Sequence, residues 1–149
     1  MSEHENVALV KRWFKEVWNE GRTDTIWELL APRFEGVGQV EDGSRITTPE
    51  EFLVFQARLR AAFSNFEVTI EDAFAADDKV AARWISRGIH TGDQLGVPAT
   101  GKEIVVRGIS MAIIRDGKIV EGWDNWDRLK MMTEIGAVEA VKAPLAKTA

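Results

Sequence analysis

The sequence predicts an α+β domain in which N-terminal helices pack on a curved antiparallel sheet. Three observations predict it. Apolar residues recur at helical spacing as far as Phe63. From Phe66 to Trp126 they alternate with polar residues at a period of two. The alternating stretches are joined by short turns, Asp77-Asp78 and Asp116-Gly117, which suit antiparallel neighbours.

Residues 5–20 read as a helix through Val7, Val10, Phe14, Val17 and Trp18, stopped by Gly21. Thr23 or Asp24 caps a second, short helix through Ile26, Trp27, Leu29 and Leu30, ended near Ala31-Pro32. Phe34 to Val40 is a weak strand interrupted by glycine. Thr48 followed by Pro49, Glu50 and Glu51 starts a third helix: a cap, a proline at the first position and acids in the first turn. It runs to about Phe63. Strands follow at 66–75, 79–90, 103–115 and 118–126, with a loop rich in Gly, Pro and Thr from Thr91 to Lys102. Asp127 caps a last short helix, about Arg128 to Ile135. No linker or repeat divides the chain, so residues 1–149 form one domain, with a core of about 5–136 and a tail from Ala140 expected to be mobile.

Composition narrows the functions. The 149 residues suffice for one domain with a proper core, and 45% apolar with 29% charged is ordinary for a soluble protein. A net charge of −5 disfavours nucleic acid and an anionic membrane surface as partners. With no cysteine, disulfides, thiolate catalysis and cysteine-held metals are excluded; the absence fits a reducing compartment, and a cytoplasmic protein is expected. Met1 to Lys15 lacks the apolar stretch of a signal peptide, and no apolar run suits a membrane span. Two histidines, His4 and His90, and no loop of alternating acids argue against a metal. Tyrosine is absent, which leaves carboxylates, one useful histidine and hydroxyls for chemistry.

Asp124 is the leading candidate among these. It lies among Trp123, Asn125 and Trp126 on the last strand, and a carboxylate among large rings is poorly hydrated, which raises its pKa toward neutrality. The alternative is a surface Asp whose tryptophan neighbours point inward. Turn geometry bears on the choice. A three-residue Arg115-Asp116-Gly117 turn with a glycine bulge, the favoured reading, sets Gly108 opposite Asp124, with open space beside the carboxylate and with Ser110 and Val106 on the same face. A two-residue Asp116-Gly117 turn sets Ile109 there and crowds it. Trp84 shares a face with Val80 and Ala82 and is core or pocket wall. His90 either bonds the backbone of the following loop, the favoured reading, or stands at a pocket mouth. Arg83, Arg87 and Arg107 fall on the other face, where ion pairs at a dimer interface are expected. So do Val105, Ile109, Met111, Ile113, Ile119 and Trp123, a broad apolar surface that predicts a sheet-to-sheet homodimer.

Several phrases carry a family resemblance. They are Trp18-Asn19-Glu20-Gly21, Leu29-Leu30-Ala31-Pro32, His90-Thr91-Gly92, Gly96-Val97-Pro98-Ala99-Thr100-Gly101-Lys102, and Asp116-Gly117-Lys118-Ile119-Val120-Glu121 through Trp123-Asp124. Over about residues 5–136 the chain resembles the SnoaL-like polyketide cyclases of the nuclear-transport-factor-2-like superfamily. The resemblance implies a cone-shaped α+β barrel, usually dimeric, around an apolar pocket. It implies that Asp124 stands where the cyclases have a general acid/base, and that Trp18 stands where they have a pocket tryptophan. Where they place a histidine across from the Asp, an approximate register sets Ser110. Two functions are in view. One is an enzyme without cofactor, in which Asp124 moves protons on a small apolar or aromatic molecule held by Trp18, Trp84, His90 and Gly108, while Ser110 donates to an oxyanion. The other is a ligand-binding dimer without turnover.

Overall fold

The computed structural model describes residues 2–140. The expectation of a mobile tail therefore lies, beyond Ala140, outside the described residues. Helix α1 (Glu3–Trp13) begins at Ser2, whose hydroxyl accepts from the Glu5 N–H at 3.1 Å. It runs on into a π-helical segment, Phe14–Asn19. Helix α2 (Asp24–Leu29) leads directly into strand β1 (Leu30–Val37), so Pro32 lies inside a strand rather than between elements. β1 is an edge strand with irregular pairing between Leu30 and Glu35, and there a missing N–H is tolerated. Helix α3 (Pro49–Ala62) follows its Thr48 cap, and then come β2 (Phe63–Ala76), β3 (Lys79–His90), β4 (Glu103–Arg115), β5 (Lys118–Trp126) and α4 (Arg128–Glu134).

The five strands form one sheet in the order β1-β5-β4-β3-β2. β2 to β5 are antiparallel, as expected, but β1 runs parallel to β5, so the sheet is mixed. It is also open, with β1 and β2 as its two edges, which corrects the barrel expectation. Its inner face buries Val68, Val80, Ala82, Trp84, Ile104 and Val106 against Val10, Trp13, Phe14, Val17 and Trp18 of the first helical stretch and Phe52, Phe55 and Leu59 of α3.

The hairpin register differs from both sequence alternatives. Asp116 (φ 51°) and Gly117 (φ 72°) both adopt left-handed backbone, the two-residue turn whose twist matches the strands, and Arg115 pairs with Lys118. Two pairs further on the ladder slips: Ile114 faces Ile119, but Ile113 faces Glu121, and Val120 is the extra residue. This bulge inside β5 sets Ser110, not Gly108 or Ile109, opposite Asp124. It also reverses the parity of the strand start, so Ile119 turns inward and is buried rather than joining the outer face. On that outer face Ile109, Met111 and Trp123 remain 56%, 39% and 41% exposed. The arginines there pair within the chain: Arg83 with Glu71 at 2.9 Å, Arg107 with Glu71 at 3.7 Å, and Arg87 with Glu103 at 3.6 Å.

Candidate functional site

Asp124 projects from the inner face of β5 to the place where two apolar cavities meet. They enclose ≈ 630 Å³ and ≈ 580 Å³ of space outside the atoms, mouths included. Both are lined by Phe14, Trp18, Gln39 and Asp124. The first extends past Trp84, Phe63 and Phe66 toward Trp126 and Met131. The second extends past Ser110 and Ile119 toward Trp13 and Phe52. Asp124 keeps some accessible area because it borders these cavities, yet protein surrounds its carboxylate. Burial therefore pushes its pKa up to about 6, while hydrogen bonds from Ser110 and Gln39 to the ionised form hold it back. Among the described residues, the one other titratable residue bordering either cavity is Arg87, whose side chain is mostly exposed and faces Glu103.

The backbone brings these groups together by close approach. Gly38 (φ 87°) crosses over β5 so tightly that a Cβ there would overlap the Asp124 carbonyl oxygen. Only glycine meets both requirements. The Trp126 indole N–H pins the crossing by donating to the Gly38 carbonyl at 2.8 Å. The next residue, Gln39, is thereby delivered to the carboxylate, and its Nε2 also donates to the Gly122 carbonyl at 2.8 Å. Gln39 is buried and its Oε1 has no partner. Sequence reasoning passed over Gln39; its one signal was Gly38 beside it in a weak strand, which any turn would share.

Trp18 owes its position to the π-helical segment, whose wider turn leaves carbonyls without helical partners. α3 supplies donors for them: Gln56 Nε2 to the Val17 carbonyl at 2.8 Å, and Arg60 to the Trp18 carbonyl. Asn19 clamps the end of the segment to β2, donating to the Val68 carbonyl at 2.9 Å and accepting from its N–H at 2.6 Å. The Trp18 ring then packs edge-on against Phe52 and Phe55, with centroids 5.8 and 5.6 Å away, while bordering both cavities.

Trp84 lines the first cavity and Ser110 the second, and Trp84 Nε1–H donates to Ser110 Oγ at 2.8 Å. Gly108 lines neither. It faces the Trp84 ring, which fills the space the sequence reading had left open; a Cβ on Gly108 would overlap that ring. His90 also stands apart from both cavities. It is fully buried against Phe63, with centroids 5.5 Å apart, and its Nδ1 accepts from the Thr100 N–H at 3.2 Å and lies 3.0 Å from the Thr100 hydroxyl. His90 thus ties down the root of the 91–102 loop. No group of three His, Cys, Asp or Glu side chains suited to a metal occurs among the described residues.

An open curved sheet with helices across one face and a buried acid between apolar cavities defines a nuclear-transport-factor-2-like cavity protein. The profile of the SnoaL-like polyketide cyclase family matches residues 8–135, so the chain belongs to that family. It is 30% identical over 132 residues to the aklanonic acid methyl ester cyclase DauD of Streptomyces sp. strain C5, covering 87% of this chain and 81% of that one. It is 31% identical over 117 residues to the aklanonic acid methyl ester cyclase AcmA of Streptomyces galilaeus, covering 77% and 79%. Among solved structures, one from Jannaschia sp. CCS1, assigned to the SnoaL-like polyketide cyclases, superposes with a TM-score of 0.81 at 29% identity, covering 91% of this chain and 94% of that one. No helix among the described residues is long and apolar enough to cross a membrane.

Proposed function

We propose that this protein is a cyclase of polyketide-derived esters, with Asp124 as its general acid/base. The observation that carries the reading is the Asp124 carboxylate, enclosed between two apolar cavities with its pKa raised to about 6. At pH 7 such a group is mostly ionised, yet basic enough to take a proton from a carbon activated by neighbouring carbonyls and to return one to the oxygen formed on ring closure. Trp18, Trp84 and Phe66 offer flat apolar walls for an aromatic substrate. The cyclase relatives support a methyl ester of an aromatic polyketide acid as substrate. The exposed outer face of Ile109, Met111 and Trp123 supports a homodimer formed sheet to sheet.

The test is turnover of aklanonic acid methyl ester. Asp124→Asn preserves shape and one acceptor but cannot titrate, so turnover should fall by roughly 10²-fold or more. Activity of the variant close to that of the unmutated protein would remove Asp124 from the chemistry.

A further inference from the structure

Ser110 has one hydrogen to donate, and its neighbours determine where it goes. The Trp84 indole N–H can only donate, so in its 2.8 Å bond Ser110 Oγ is the acceptor. That leaves the serine's own hydrogen free. Across the β4–β5 ladder stands Asp124, and Ser110 is buried, so bulk water does not compete for that hydrogen. A second buried serine provides a contrast. Ser86, on β3, gives its hydroxyl to the Val106 carbonyl at 3.2 Å and is satisfied by the main chain alone. Ser110 has no main-chain partner of that kind, only the indole on one side and the carboxylate on the other. Three adjacent strands thus supply three consecutive groups: Trp84 on β3, Ser110 on β4 and Asp124 on β5. Gly108, the ladder partner of Trp84, lacks the Cβ that would push the indole away from Ser110.

We infer that Trp84 and Ser110 are positioning residues for Asp124: the indole N–H orients the serine hydroxyl, and the hydroxyl donates to one carboxylate oxygen, so that a proton on the acid is carried by the other oxygen. This changes the part expected of Ser110, whose hydrogen goes to the acid rather than to a substrate oxyanion. The Trp84–Ser110 bond is seen directly and the Ser110–Asp124 link is inferred from their facing positions on the ladder; its use in catalysis rests on the reading of Asp124 given above.

The experiment is a pH titration of the full-length protein with ¹³C-labelled aspartate and ¹⁵N-labelled indole. Asp124→Asn assigns the carboxyl resonance and Trp84→Phe the indole one. Ser110→Ala removes a donor to the ionised form, so the Asp124 midpoint should climb by about one pH unit. Ser110→Thr keeps the hydroxyl and should restore the original midpoint to within a few tenths. In the unmutated protein the Trp84 Nε1–H resonance should titrate with the Asp124 midpoint, and in Ser110→Ala it should lose most of that response. An unmoved carboxyl midpoint in Ser110→Ala overturns the inference, as does an indole resonance that ignores the Asp124 titration in the unmutated protein. If Ser110→Ala does not fold, the indole titration of the unmutated protein decides alone. The acid limb of kcat/KM for aklanonic acid methyl ester should move up with the carboxyl midpoint. A moved midpoint with an unmoved limb keeps the hydrogen-bond chain and rejects Asp124 as the catalytic group.

Discussion

The two faces of the β4–β5 hairpin invert the usual distribution of side chains in opposite senses. The inner face carries an ionisable group, Asp124, into apolar surroundings. The outer face carries Ile109, Met111 and Trp123 into water. Neither arrangement favours the isolated folded chain. A desolvated carboxylate costs free energy, and exposed apolar area is a contact not yet made. Where local patterning conflicts with what a stable monomer needs, function is the expected cause. Here the inner inversion points to chemistry and the outer one to association. His90 is the control between them: polar and fully buried, but packed against Phe63 and tied to Thr100, with neither cavity beside it.

Replacing the control should have the largest effect on stability. His90→Ala empties a filled site and releases the root of the 91–102 loop, so the fold should lose about 2–4 kcal/mol, measured by chemical denaturation. A loss below about 0.5 kcal/mol would break the contrast between filled and cavity-facing polar groups.

Asp124→Asn should move stability the other way. The folded-state pKa of Asp124 lies above its ordinary value of 3.8, at about 6, so the native state holds the proton more tightly than the unfolded chain does. The stability linked to this group is full below about pH 4 and is lost as pH rises through about 6. At pH 7–8 the Asn variant should therefore be more stable than the unmutated protein by about 1–3 kcal/mol, and the gain should fade toward pH 4. A gain independent of pH, or a loss at pH 8, would show that the carboxylate is not held at a cost.

The outer face should show the smallest effect on folding and a change in mass instead. Met111→Lys leaves a monomer within about 0.5 kcal/mol in stability but places a charge in any sheet-to-sheet interface. Light scattering should report a dimer before the change and monomer or aggregate after it. A stable monomer of the unmutated protein at micromolar concentration would leave the outer apolar face without its proposed partner.

The elements themselves were legible in the sequence because their signals are local. Period-two alternation bounded by Asp-rich turns gave Lys79–His90, Glu103–Arg115 and Lys118–Trp126, and Thr48 with Pro49 marked the start of α3. The phrases around Trp18, His90 and Asp124 sufficed for the family. Val106, Ser110 and Asp124 do share a face, as the three-residue turn implied, but the turn has two residues and it is the slip at Val120 that brings Asp124 onto that face. Tertiary structure alone decided what stands beside that carboxylate. The slip at Val120 lies where β5 runs between β4 and the parallel edge strand β1, and that one residue exchanges Ile109, the partner a two-residue turn alone would give, for Ser110. Gln39 reaches the site through a loop crossing far from it in sequence, held by Gly38 and Trp126. His90 and Gly108 fell away from the cavities because rings from distant segments, Phe63 and Trp84, occupy the space beside them. Periodicity specifies which way a side chain points, but what it meets there depends on long-range packing, which local patterns do not encode.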